Sequence, residues 1–506
     1  MTDTVPRENP SVVATRWRRT TDATALGARL SPVRDHPASA PLSVGLVASA
    51  IASIGVATPS VWYDEAATIS SATRSLPQLW GELGTVDAVH GLYYLLMHAV
   101  FSVVGYSPFT LRAPSVIAIG IAAALTVLLG RRVRHQRYGI VAGLVFAILP
   151  RTLWAAGEGR SYALTAAVAV ALTLAMLTAY RSDRRSAKVA YAALAVIGGI
   201  LFLYLALVVV AQAITLAALA TRDGRSRRSA LAAPTAALVA LAPFAALTST
   251  QKGQIGWLHD IGASTIVAVL RDQWFTSSIV AVAGIVAAGL GAVVVVRRRR
   301  LDDRAAILLP AIVVPTLALL AVSVLAQPIY NPRYLTMCLP FVALLIAAAI
   351  DVTRLRVLAL LTLAALVLPV AIAQRAPEAK ESSSWSQVAD LVAQERSGRT
   401  AMVWGNVQFH PAASARVIQT AYPAAFAGTI DTTLEVPAAE TDGLWETARP
   451  LVDSLTRLDG ATQVFLVTSD ARDLRAQTTA TLAAAGWHVT STQHLTHVWV
   501  LEYARS

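Results

Sequence analysis

The chain has 506 residues, 55% of them hydrophobic and 14% charged, a balance that excludes an ordinary soluble domain and marks a polytopic membrane protein. Its net charge of +12 does not point to nucleic acid, because the basic residues fall in short clusters between apolar runs, as in membrane loops, and not along one aromatic-studded face. A single cysteine, Cys338, excludes an intrachain disulfide and any cysteine-based metal site.

Residues 1–40 are polar and basic, with Arg16, Arg18, Arg19, Arg29 and Arg34, and read as a cytoplasmic disordered tail. The run Pro41 to Val61 is long enough to cross a bilayer. A cleaved signal peptide is the alternative, but the run starts late and cleavage would strip the acids that follow it of their anchor. Those acids are Asp64 and Glu65 in the stretch Trp62-Tyr63-Asp64-Glu65-Ala66. Two adjacent carboxylates at a membrane exit, under a long loop, suit a membrane enzyme that needs a base for an interfacial acceptor. A solvated pair that merely ends a helix is the plainer alternative.

Further apolar runs cover Leu111 to Gly130, Gly139 to Trp154, Tyr162 to Ala179 and Val189 to Ala220, the last read as two short spans turning near Tyr204. Ala230 to Leu247, Ser277 to Val296, Ala305 to Ala326, Leu335 to Ile350 and Val357 to Ala373 follow. The total is about eleven transmembrane helices. Basic clusters at Arg131 to Arg137, Arg181 to Lys188, Arg222 to Arg228, Arg297 to Arg300, and Arg354 with Arg356 are placed in the cytoplasm by the positive-inside rule. Parity then requires His90 to Gly105 to lie along the outer surface as an interfacial helix. The same bookkeeping gathers Asp64, Glu65, Asp87, His90, Glu158, Arg160, Lys252 and Arg333 on the outer face. Residues 374–506 change character. Helix-like stretches at Ser386 to Glu395 and Leu444 to Leu458 mix with strand-like runs at Ala401 to Trp404, Gln463 to Thr468 and His497 to Tyr503, an outer α/β domain large enough for its own core. The expected organisation is a tail at 1–40, a membrane domain at 41–373 with its first outer loop at 62–110, and the α/β domain at 374–506.

Three short motifs share the outer face: Trp62-Tyr63-Asp64-Glu65-Ala66, His90-Gly91-Leu92-Tyr93-Tyr94-Leu95-Leu96 and Leu111-Arg112-Ala113-Pro114-Ser115. With Gly157-Glu158-Gly159-Arg160-Ser161-Tyr162-Ala163-Leu164 and Asn331-Pro332-Arg333-Tyr334-Leu335, their order and spacing resemble the family 39, protein-mannosyltransferase-like enzymes of the GT-C superfamily. The resemblance covers roughly the first 350 residues. It implies a GT-C fold in the plasma membrane and transfer of a sugar, mannose first, from a polyprenyl-phosphate donor to an extracytoplasmic glycan, lipid or protein acceptor of the cell envelope. Arabinofuranosyl transfer by the same mechanism is the alternative sugar, and a lipid-linked sugar transporter or flippase is the alternative class.

Because the sugar leaves on a stabilised phosphate, one base suffices. By resemblance that base is Asp64, with inversion at the sugar, and Glu65 is its catalytic neighbour. Arginine suits the leaving phosphate. Arg333, followed by Tyr334, is the first choice and Arg160 the second, with Lys252 a further cation. Asp87, His90, Glu158 and Tyr162 are expected on the substrate or acceptor side. No Walker loop, no H-E-x-x-H and no Asp-x-Asp occurs, so neither an ATP-driven pump nor a membrane zinc protease is indicated. No cofactor is expected, and a lone divalent cation beside Asp64 and Glu65 stays open.

Overall fold

The computed structural model describes residues 2, 38–296, 303–410 and 413–505. The expected tail up to residue 37, Thr2 apart, and the cluster Arg297 to Arg300 lie outside these. The chain opens with α1 (Ser39–Ser53), then α2 (Tyr63–Ala72), α3 (Leu76–Thr85), a 3-10 turn at Ala88–His90 and α4 (Gly91–Val104). The bundle continues with α5 (Pro108–Val133), α6 (Gln136–Ile148), α7 (Pro150–Ala156), α8 (Tyr162–Ser182), α9 (Arg185–Leu201), α10 (Leu205–Arg222) and α11 (Arg227–Thr250). After a loop carrying α12 (Ala263–Val267) come α13 (Ser278–Val296), α14 (Asp303–Leu325), a 3-10 stretch at Pro332–Cys338 that runs into α15 (Leu339–Asp351), and α16 (Arg356–Ala373).

Among the described residues, eight helices are long and apolar enough to cross a membrane, and nine if α6 and α7, bent by 64°, count as one span. The remaining two expected spans are present as shorter helices, α1 with 15 residues and α9 with 17. The run that starts at Pro41 loses its helix after Ser53, where Gly55 takes φ +60 and Pro59 follows. Fifteen residues reach only about 22 Å, short of a typical hydrocarbon core. The expected break near Tyr204 is found, since α9 ends at Leu201 and α10 begins at Leu205. Small residues let the bundle close. A Cβ added at Gly45 would stand 2.8 Å from the Gly120 carbonyl oxygen, and one at Gly291 would collide with the Leu345 backbone, the close approach that apolar helices need in place of a hydrophobic drive.

The expected interfacial segment is α4, whose Tyr93, Tyr94 and Met97 are fully buried while Val103 and Val104 stay exposed. It packs beneath α2, as an amphipathic cover over a site would.

The C-terminal region holds α17 (Trp385–Glu395), β1 (Thr400–Trp404), α18 (Val417–Ala421), β2 (Ile430–Asp431), β3 (Leu434–Val436), β4 (Thr447–Ala448), β5 (Gln463–Ser469), α19 (Arg475–Ala484), β6 (Trp487–Leu495) and β7 (Val498–Arg505). Its five-stranded sheet has the order β2-β1-β5-β7-β6, parallel across β2, β1 and β5 and antiparallel at β7 and β6. Every residue of β1 and β5 is buried, as for central parallel strands covered on both faces. The helix expected over Leu444 to Leu458 does not form. Pro450 interrupts it, leaving β4 before the proline and a 3-10 turn, Leu451–Leu458, after it, because proline cannot supply the amide that a helix interior needs. Nor does the sheet region keep its core to itself. Met402, Trp404, Phe465 and Val467 share one buried cluster with Val61, Ala66, Ile69 and Tyr93 of the first loop.

Candidate active site

The first turn of α2 sends its two acids to different places. Glu65 is fully buried and gripped on both oxygens. Arg112 Nε donates to Oε1 at 2.8 Å and Nη2 to Oε2 at 2.7 Å, while Lys380 Nζ and the Gly159 amide each add a bond at 2.9 Å. Arg112, itself buried, spends Nη1 on the carbonyls of Val56 and Pro59, both at 2.9 Å. Lys380 also donates to Glu158 Oε1 at 2.8 Å and to the Gly157 carbonyl, and Trp62 Nε1 donates to Glu158 Oε2 at 3.0 Å. Burial alone would raise the Glu65 carboxyl, but Arg112 and Lys380 outweigh it and bring it down to about 2. Glu158 moves the other way, raised by burial and by Glu65, with Lys380 only partly offsetting this. A fully satisfied network of this kind fixes the entry of α2 against the start of α5 and the loop before α8.

Asp64 has a different setting. Its side chain is 15% exposed, with Arg333 Nη1 at 3.1 Å from Oδ2 and Arg160 Nη2 at 3.7 Å from Oδ1. Burial pushes its carboxyl up, and Arg333 and then Arg160 pull it below the usual carboxylate value. The Nε atoms of both arginines are buried and have no hydrogen-bond partner among the described residues, which leaves unused donor capacity beside Asp64.

Arg160 is held from behind. Its Nη1 donates to the Tyr94 hydroxyl at 2.9 Å, and that hydroxyl donates to Asp87 Oδ2 at 2.6 Å. Asp87 sits in the left-handed region at φ 57, the backbone turn that aims it back at α4. His90 lies with its ring 5.9 Å from that of Tyr94. Burial, helped by Arg160, pushes its imidazole down to about 4, so it is neutral at neutral pH. Arg333 lies between rings, 5.3 Å from Trp62, 5.2 Å from Trp257 and 6.0 Å from Tyr334. Tyr334 in turn meets Tyr204 at 5.3 Å, Phe202 at 5.9 Å and Tyr162 at 6.4 Å, giving the arginine an aromatic wall that runs down into the bundle.

The structure therefore brings together Asp64, Arg160, Arg333, Tyr334, Tyr162, His90 and Asp87, places Glu65 and Glu158 in the buried network behind them, and leaves Lys252 exposed on its loop. Arg112 and Tyr94 stand in the sequence motifs without an assigned role, and Lys380 and Trp257 were not singled out by sequence. A charged residue inside an apolar run must find a partner, and that signal also marks Arg112. Lys380 carries no such mark, since it follows the last apolar helix among other polar residues.

No family model and no curated protein matches the chain. Among solved structures, its fold is similar to that of ArnT from Cupriavidus metallidurans bound to undecaprenyl phosphate. The TM-score is 0.58 at 14% identity, over 93% of this chain and 98% of that one. The apo form of ArnT gives the same TM-score and identity over 91% and 97%. The Archaeoglobus fulgidus oligosaccharyltransferase aligns at a TM-score of 0.47 and 13% identity, over 92% of this chain and 73% of that one. The chain thus has the fold of ArnT, a helical membrane bundle with a C-terminal α/β region.

Proposed function

We propose that the chain is an integral membrane glycosyltransferase that moves one sugar, mannose first, from a polyprenyl phosphate to an acceptor hydroxyl on the extracytoplasmic side. The observation that carries this reading is Asp64, partly open and held between Arg333 and Arg160. The fold shared with ArnT, whose structure holds undecaprenyl phosphate, supports it. So does the placement of the basic residues at the far ends of α5 and α8, which begin at the site and end at Arg131 and Arg181.

In this reading the donor phosphate binds Arg333 and Arg160 through their outer nitrogens, and the isoprenoid chain follows the aromatic wall at Tyr334, Tyr204 and Phe202. The acceptor oxygen attacks the anomeric carbon from the face opposite the phosphate. The bond from that carbon to the phosphate oxygen breaks, the new glycosidic bond forms, and the acceptor proton passes to Asp64 and then to water. Inversion follows from the single displacement. The polyprenyl phosphate leaves as an anion that the two arginines stabilise where its charge develops. Phosphate binding also draws Arg333 and Arg160 away from Asp64, so the carboxylate becomes more basic when a donor is present. Glu65, with every oxygen engaged, positions Asp64 and takes no proton.

The test is transfer of labelled sugar from a panel of decaprenyl-phosphate sugars in membranes that carry the full chain or its Asp64→Asn variant. Consumption of one donor by the wild type and not by a normally inserted variant supports the reading and names the sugar. Equal transfer by both removes Asp64 from the chemistry, and movement of donor across the bilayer without transfer favours a transporter.

A further inference from the structure

At the opposite end of α8 from Arg160, about 30 Å away at 1.5 Å per residue, a cavity of about 310 Å³ opens between the α8–α9 and α10–α11 hairpins. Its rim carries Tyr180, Asp183, Lys188, Arg225, Ser226 and Ser229, and its floor is apolar, formed by Met176, Leu216 and Ala233 among others. Lys188 ties the two hairpins together. Its Nζ donates to Ser229 Oγ at 2.9 Å and pairs with Asp183 Oδ1 at 2.5 Å. Arg225 Nη1 donates to the Tyr180 carbonyl at 2.6 Å, and the guanidinium lies 4.8 Å from the Tyr180 ring.

Two further features raise the positive potential here. The helices α9 and α11 both begin at this cavity, with Lys188 in the first turn of one and Ser229, its amide capped by Ser226 Oγ at 3.4 Å, in the first turn of the other, so two positive helix ends converge. The turns 181–188 and 222–228 also hold eight basic residues against the acids Asp183 and Asp223. Asp223 is already engaged by the Tyr180 hydroxyl and Arg222, both at 2.8 Å. Asp183, 67% exposed, is free to return to water when another anion takes Lys188. Three of the four wall helices, α8, α10 and α11, are long and apolar enough to cross a membrane, so the ligand that satisfies both halves of the cavity has an anionic head and an apolar tail. A soluble anion would leave the floor unused.

We propose that this cavity binds an anionic glycerophospholipid, its phosphate between Lys188 and Arg225 and the start of one acyl chain on the floor at Met176, Leu216 and Ala233. This is a second lipid-phosphate site, independent of the donor site and of its chemistry.

The experiment uses the full chain, purified and placed in phosphatidylcholine nanodiscs with or without phosphatidylglycerol, read by thermal unfolding and by native mass spectrometry of retained lipid. Phosphatidylglycerol should be retained and should raise the unfolding temperature, whereas inorganic phosphate should not. The double variant Lys188→Gln, Arg225→Gln should bind the lipid about thirtyfold more weakly, from about fivefold per cation lost near the headgroup. Ala233→Phe, which fills the floor and leaves both cations, should weaken binding as well. It keeps the question answerable if the double variant does not fold. Unchanged retention in either folded variant, or an equal thermal shift with inorganic phosphate, overturns the lipid site.

Discussion

Asp64 and Glu65 are consecutive residues on one helical turn, yet they occupy opposite regimes. Glu65 is sealed, with Arg112 and Lys380 at 2.7–2.9 Å and a backbone amide completing its shell. Asp64 is 15% exposed, and its two arginines stand at 3.1 and 3.7 Å with donor atoms to spare. Tight, complete coordination holds a backbone still, whereas loose coordination by shareable cations leaves a carboxylate able to change partners. The neighbourhood of each acid, more than its residue type, separates the positioning role proposed for Glu65 from the chemical one proposed for Asp64.

The sharpest way to break that contrast is to remove each acid in turn. Asp64→Asn should lower sugar transfer by about 10²–10⁴-fold, the usual contribution of a general base, with little change in the unfolding midpoint. Glu65→Ala should cost about 3–5 kcal/mol of stability, as when one partner of a buried ion pair is removed, measurable by thermal unfolding in detergent. If instead Glu65→Ala folded normally and only transfer were lost, the two assignments would have to be exchanged. Next in size, Arg333→Lys replaces a planar fork by a point charge, and donor kcat/KM should fall about tenfold to a hundredfold, with acceptor KM nearly unchanged.

Acidity separates the two residues again. Glu65 drops to about 2 in the folded protein from an ordinary value of 4.5. Because its folded value is the lower one, its contribution to stability is complete above about pH 4.5 and is lost as the pH falls toward 2, which acid unfolding curves would show. If Asp64 is the base, its lowered carboxyl should set the acid limb of kcat/KM, and occupancy of the arginines by donor phosphate should move the acid limb of kcat to higher pH. Coincident limbs would mean that the donor does not take Arg333 and Arg160. The smallest effect is expected from Trp257→Ala, which removes one ring from Arg333 and should raise donor KM about two- to fivefold.

Much of this was legible in the residues. The apolar runs marked the bundle, including the turn at Tyr204, and the charge pattern placed Asp64, Arg160 and Arg333 at the same end of it. What stayed hidden depended on contacts between distant parts of the chain. The partition of Glu65 from Asp64 is set by Arg112 and by Lys380, which lies 315 positions away, and no local pattern announces such a pairing. The failed helix at Leu444 to Leu458 is different, since Pro450 was there to be read. The exposed alternation of β6 gave too weak an apolar signal to mark an edge strand.

The late position of Lys380 also orders events during biosynthesis. Arg112 can meet Glu65 once the first loop and α5 have left the ribosome, but Lys380 is translated on the order of tens of seconds later at ordinary elongation rates. Until then Glu158 lacks its cation and the loop before α8 has no anchor to the segment beyond α16. Completion of the centre is thereby postponed until α16 has been made, so chains stalled or truncated ahead of residue 380 would carry an unfinished site.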